Sequence, residues 1–187
     1  MKNTLRAFLI SLAVVGSFTL AALWSEEVKA VFDKPLLITS AGQNAEVQIV
    51  AVLAKRAGLE YSLAKLATAE DLDNMKTLAL VLGTSLKGLG AAGLDMDKER
   101  DRVTALVAEA QKRNIPLLCL HLGGENRRGQ QTDELITAFL PLAKMAIVVK
   151  SGNSDGIFTR VCREKNIPLI EVEKTADALD PLQKAFR

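Results

Sequence analysis

One histidine, two cysteines, one tryptophan and one tyrosine stand in 187 residues, so the sequence has little of the material from which many catalytic and metal centres are made. A structural metal centre needs several convergent ligands, usually with His or Cys among them, and His121, Cys119 and Cys162 are poor material for one. An excess of either charge is missing too. Lys and Arg number 24 against 22 Asp and Glu, and beyond residue 30 the balance is 21 to 20. Nucleic-acid binding rests on a concentrated basic face, which near neutrality and few aromatics argue against. No nucleic-acid partner, metal or organic cofactor is expected. Both cysteines lie within apolar runs, where a free thiol behaves as a small hydrophobe; two buried thiols are expected, although an oxidising compartment would permit pairing.

What is present begins with an address. Lys2 and Arg6 precede an uncharged, mostly apolar run from Ala7 to Trp24, the pattern of an export signal. Val28-Lys29-Ala30 places small residues where a signal peptidase reads. Residues 1–30 are therefore expected to be a signal peptide or an uncleaved membrane anchor, and residues 31–187 a single domain. The expected location is periplasmic or extracellular, or tethered to the membrane. No cysteine precedes Cys119, so lipid acylation of a new N-terminus is not expected.

From Lys34 onward, short apolar runs alternate with longer segments of helical periodicity. Strands are expected at 35–39, 77–82, 115–120, 145–149 and 167–172, with a weaker one at 61–66. Their apolar residues are continuous instead of alternating, which suits parallel strands covered by helices on both faces. Val103, Leu106, Val107 and Ala110 form the apolar stripe of one helix. Segments 44–57, 132–143 and 155–165 give others, with Asn44, Thr132 and Asp155 as expected N-caps and Pro141 ending or bending the helix at 132–143. The recurring joints "KRNIPLL" and "EKNIPLI" place Asn114 and Asn166 as left-handed caps before a strand. A short helix from Thr175 closes the chain on Leu179, Leu182 and Phe186. The expected fold is α/β, a three-layer doubly wound and mostly parallel sheet of five or six strands.

Ligands of such sheets bind beyond the C-terminal ends of the strands. The loops there, "SAGQN" at Ser40, "GTSLKGLGAAGLD" at Gly83, "HLGGENRRGQQ" at His121 and "KSGNSD" at Lys150, are long, polar and glycine-rich, whereas the joints at the opposite edge are plain. "GLGAAG" spells a dinucleotide fingerprint but begins several residues after its strand, and no acidic residue follows where a ribose would need one. No Gly-Lys-Ser/Thr opens a helix, so a phosphate-binding P-loop is also absent. Ser85, His121 and Asp155 invite a serine-hydrolase reading, without the Gly-X-Ser-X-Gly elbow that would support it.

The remaining pattern points to a non-catalytic site for a small anion, a carboxylate or phosphate, at the loop edge. Ser40, Gln43, Asn44, Thr84, Ser85, Lys87, His121, Arg127, Arg128, Lys150, Ser151 and Asn153 are its expected lining. Arg127 and Arg128 are read as solvated loop charges free to face the anion and contributing little to folding. Protonation of His121 below about 6.5 is expected to strengthen anion binding. A transporter or sensor is the expected partner. The alternative is a protein-interaction module that docks through residues 83–95.

In layout, residues 34–187 resemble the flavodoxin-like and Rossmann-like class, and more loosely exported bacterial domains of uncharacterised families. The resemblance implies a fold and the location of a site; no activity comes with it.

Overall fold

The computed structural model describes residues 29–187, so the apolar run from Ala7 to Trp24 lies outside the described residues. Six strands form one all-parallel sheet: β1 Leu36–Ala41, β2 Tyr61–Leu63, β3 Thr77–Leu82, β4 Leu117–His121, β5 Met145–Val149 and β6 Leu169–Val172, in the order β2-β1-β3-β4-β5-β6. The helices are α1 Glu46–Arg56, α2 Leu86–Ala91, α3 Met96–Lys112, α4 Gln130–Phe139, α5 Ile157–Lys165 and α6 Leu179–Lys184. None of the helices among the described residues is long and apolar enough to cross a membrane.

The four inner strands, β1, β3, β4 and β5, are buried throughout because both their faces are covered, whereas the edge strands β2 and β6 are only partly buried. Leu78, Leu80 and Leu82 of β3 point into the cluster under α3, α4 and α5, while Ala79 and Val81 point into the one under α1 and α6. Phe32 is fully buried in the second cluster, its ring 5.5 Å from that of Phe186, so the chain before β1 is tied to the chain end. Cys119 and Cys162 are free and buried in the first cluster. Burial pushes both thiols up, Cys162 to about 11, which suits inert packing residues.

Asn114 and Asn166 adopt the left-handed conformation expected of them, at φ 57° and 54°. α4 ends at Phe139, and Pro141 lies in the short 3-10 turn Leu140–Leu142 that follows it. Two of the three N-caps differ from expectation, because longer-range partners claim the Asn44 and Thr132 side chains. Asn44 reaches across to β3, and Ala45 precedes α1 without a side-chain cap. Thr132 lies inside α4, where its Oγ1 accepts from the Thr84 N–H at 2.9 Å. At α5 the expected cap Asp155 accepts from Ile157 N at 3.2 Å, and Asn153 shares the task, its Oδ1 accepting from Phe158 N at 2.9 Å and Thr159 N at 3.4 Å. Residues 83–95, expected as a loop, contain α2, whose N-cap Ser85 accepts from Gly88 N at 3.1 Å. Gly88 belongs in that helix because a Cβ there would collide with the Gln43 carbonyl oxygen.

The chain leaves β1 toward β2 on one side and returns to β3 on the other. The ends of β1 and β3 therefore form the switch point, where diverging connections open a crevice in folds of this type.

Candidate functional site

At the switch point the loops after β1 and β3 lie against each other. Gly42 holds φ +98°, and a Cβ on it would meet the Gly83 carbonyl; Gln43 and Thr84 form an isolated antiparallel bridge. The platform is fastened from below by Glu99 of α3, which is fully buried. Its Oε1 accepts from Gly42 N at 2.9 Å and Gln43 Nε2 at 3.0 Å, and its two oxygens take Arg102 Nη2 and Nε, each at 2.9 Å. Arg102 passes on to the carbonyl oxygens of Ser40 and Ala67. Every charge in this network has partners, which is the condition under which a buried pair is tolerated.

On this platform the side chains are unevenly satisfied. Asn44, 2% exposed, donates through Nδ2 to Val81 O at 3.0 Å, Gly83 O at 2.8 Å and Ser40 Oγ at 3.2 Å. Its Oδ1 has no partner among the described residues, and neither do the buried Glu46 Oε2 and Thr84 Oγ1. Arg127 closes this corner. Its Nε donates to Glu46 Oε1 at 2.8 Å, and its side chain fills the space where a Cβ on Gly123 would stand. A Cβ on Gly83 would sit 3.5 Å from Asn44 Cγ and 3.7 Å from Arg127 Cβ, so these two side chains flank one spot. The outer guanidinium nitrogens of Arg127 have no partner among the described residues.

Arg128 is spent differently. It donates to Asp133 at 2.7 Å, to Asp155 at 2.8 and 3.0 Å and to the Gly152 carbonyl, and it lies 5.9 Å over the Phe158 ring. Bonding to Arg128 holds Asp155 down at about 2, and Arg128 itself is raised, chiefly by Asp155. Its side chain is only 11% exposed, so the expectation of a solvated charge does not hold for it. The residue is a clamp between the β4–α4 and β5–α5 loops.

His121 is fully buried, its ring 5.3 Å from Phe158, with Nδ1 2.9 Å from Leu82 O and Nε2 3.1 Å from Gly124 O. Burial lowers its pKa below the ordinary 6.5, and the two carbonyls offset this only in part. A neutral ring donates from one nitrogen only, so one of these contacts is not a hydrogen bond at neutral pH. The expected proton-driven gain in anion affinity gives way to an effect on folding. The unfolded chain takes up the proton first, so stability is full above about 6.5 and falls as pH drops below it. With one histidine in the chain, its ring C–H signals in NMR identify themselves. Their titration midpoint should fall below the ordinary 6.5; a midpoint at 6.5 would show the ring open to water.

The expected residues thus divide into two groups and two outliers. Ser40, Gln43, Asn44, Thr84 and Arg127 meet at the switch point, with Ser85 beside them capping α2. His121, Arg128, Ser151 and Asn153 gather at the ends of β4 and β5; there a Cβ on Gly124 would touch Ser151 Oγ, and Asn153 Nδ2 binds Thr159 and Glu171. Lys87 is exposed on α2, and Lys150 pairs with Glu173 at 3.0 Å on the surface. Ser85, His121 and Asp155 do not bond to one another: each is engaged by backbone or by Arg128. Glu46 and Glu99 were not expected. Glu99 lies in register with the stripe of Val103, Leu106, Val107 and Ala110, and a carboxylate on an apolar face was the available signal.

Residues 33–186 match the family described as Domain of unknown function (DUF6305). The chain belongs to that family. It matches no curated protein. Among solved structures it is similar to a protein assigned to the G-D-S-L family of lipolytic proteins from Desulfitobacterium hafniense DCB-2, at 16% identity over 73% of this chain and 75% of that one, with a TM-score of 0.34. It is also similar to AlinE4, an SGNH-hydrolase family esterase, at 12% identity over 77% of each chain, with a TM-score of 0.28. Likeness this distant transfers no chemistry to the residues at the switch point.

Proposed function

We propose that this is an exported, non-catalytic binding domain that takes a small carboxylate or phosphate where β1 and β3 part, in the service of a membrane transporter or sensor. One observation carries the reading: the buried side-chain atoms without a partner among the described residues, Asn44 Oδ1, Glu46 Oε2 and Thr84 Oγ1, all lie at this edge. Leaving such an atom unpaired costs about 1–3 kcal/mol, so their grouping suits a place where donor groups of a ligand complete the bonds while its carboxylate or phosphate meets Arg127. Arg127 adds a cation whose outer nitrogens have no partner among the described residues, while the Glu46 carboxylate already occupies the first turn of α1, so the ligand's anionic group is assigned to Arg127. The apolar run from Ala7 to Trp24 supports export.

The test is a thermal-shift screen of small carboxylates and inorganic phosphate on the purified chain. A ligand at a hundredfold its Kd adds about 2.7 kcal/mol of stability to a protein that binds it only when folded. Arg127→Ala should remove the shift and Lys87→Ala should keep it; the reverse pattern would move the site away from the switch point. A second reading rests on Leu86, which is 70% exposed at the start of α2 and would suit a docking contact for a protein partner. It gains if Leu86→Ser abolishes complex formation with a transporter or sensor that no small ligand affects.

A further inference from the structure

We propose that the ligand is a zwitterion, a small free amino acid, whose carboxylate meets the outer nitrogens of Arg127 and whose ammonium meets Glu46 Oε2, Asn44 Oδ1 and Thr84 Oγ1. This rests on the switch point being the binding site and goes beyond it by reading what the unpartnered atoms demand. A carboxylate oxygen and an amide oxygen can only accept, and a hydroxyl can accept as well as donate. A bare carboxylate or a fully ionised phosphate offers them no proton. A hydroxy acid offers one donor. A primary ammonium offers three, one for each of these atoms, together with a positive charge for the Glu46 carboxylate.

Charge balance agrees with this assignment. Glu46 and Arg127 form one ion pair, so a ligand of net charge zero enters without leaving an uncompensated charge in a corner where Asn44 is 2% exposed. The Arg127 side chain is 34% exposed and held to protein by its Nε alone among the described residues, so its far end can turn to a carboxylate while Nε keeps Glu46 in place. Guanidinium and carboxylate match as planar, two-point partners. The floor is fixed beforehand by the Asn44 Nδ2 bonds, which leave Oδ1 as the unused end of the amide.

The experiment is a calorimetric and thermal-shift panel of the twenty free L-amino acids on the purified chain. For the best binder it adds the matching 2-hydroxy acid, the matching acid without the amine, the amino acid amide and inorganic phosphate. The amino acid should bind at least tenfold more tightly than the hydroxy acid, and the amine-free acid and the amide should give no measurable shift. Thr84→Ala should weaken amino-acid binding about tenfold while leaving the unliganded melting temperature equal or higher, since it removes a hydroxyl without a partner. Glu46→Gln, checked for folding by circular dichroism, should erase the preference for the amine. If phosphate or amine-free carboxylates bind as well as any amino acid and Arg127→Ala abolishes them, the zwitterion is overturned and the site stands. If no compound shifts the protein, or if shifts survive Arg127→Ala, Thr84→Ala and Glu46→Gln, both are overturned.

Discussion

Glu99→Ala should cost the domain about 3–5 kcal/mol, the range for removing one partner of a buried ion pair. The loss is large because four donors depend on this side chain: Gly42 N, Gln43 Nε2 and the two nitrogens of Arg102. Alanine leaves the Arg102 guanidinium, 13% exposed, with only carbonyl partners in the core. Glu99→Gln should cost less, because the amide oxygen can still accept from Gly42 N, Gln43 Nε2 and Arg102 Nη2, and the remaining cost comes from its NH2 group standing donor against donor to Arg102 Nε. Adding Arg102→Met to Glu99→Ala should recover part of the loss, since the uncompensated charge leaves with the arginine. Denaturant midpoints of the four proteins measure this. A double variant less stable than Glu99→Ala would show that Arg102 supports the switch point mainly through Ser40 O and Ala67 O.

The alternation of apolar runs with helical periods was enough to place all six strands and the sheet type, because burial on both faces writes itself into every residue of a strand such as "TLALVL". Asn114 and Asn166 were legible for a local reason, since a left-handed cap depends on its own residue and little else. The site was legible as an edge and not as a chemistry. Ser40, Asn44 and Thr84 were found from loop composition, but whether an amide oxygen stays unpartnered depends on what β3 brings to it from 37 residues away. Residues 83–95 misled for the same kind of reason. Their glycines suggest a loop, yet Gly88 answers to a close approach by the Gln43 backbone, which no local pattern reports.

Arg127 and Arg128 are neighbours in one loop, and their substitutions should separate sharply. Arg128→Ala should destabilise the domain by about 2–3 kcal/mol, because hydrogen bonds to charged groups are worth about 1.5–3 kcal/mol where their loss leaves partners unmet. The change strips donors from Asp133, Asp155 and the Gly152 carbonyl and exposes the Phe158 face beside buried His121. Arg127→Ala should cost less than about 1 kcal/mol, since it breaks one partly exposed pair. The gap should also depend on pH with a definite sign. Asp155 is held at about 2 against an ordinary 3.8, so its pairing with Arg128 contributes fully above 3.8 and is lost as pH falls toward 2. Because Asp155 is 54% exposed, water and salt screen much of that contribution, and the loss should be gradual. Unfolding midpoints at neutral and strongly acid pH would therefore show Arg128→Ala approaching the parent as Asp155 is protonated. If the two alanine variants are equally stable at neutral pH, Arg128 is no clamp. Both arginines would then be available to the ligand, and the anion would be shared between the ends of β3, β4 and β5 instead of sitting where β1 and β3 part.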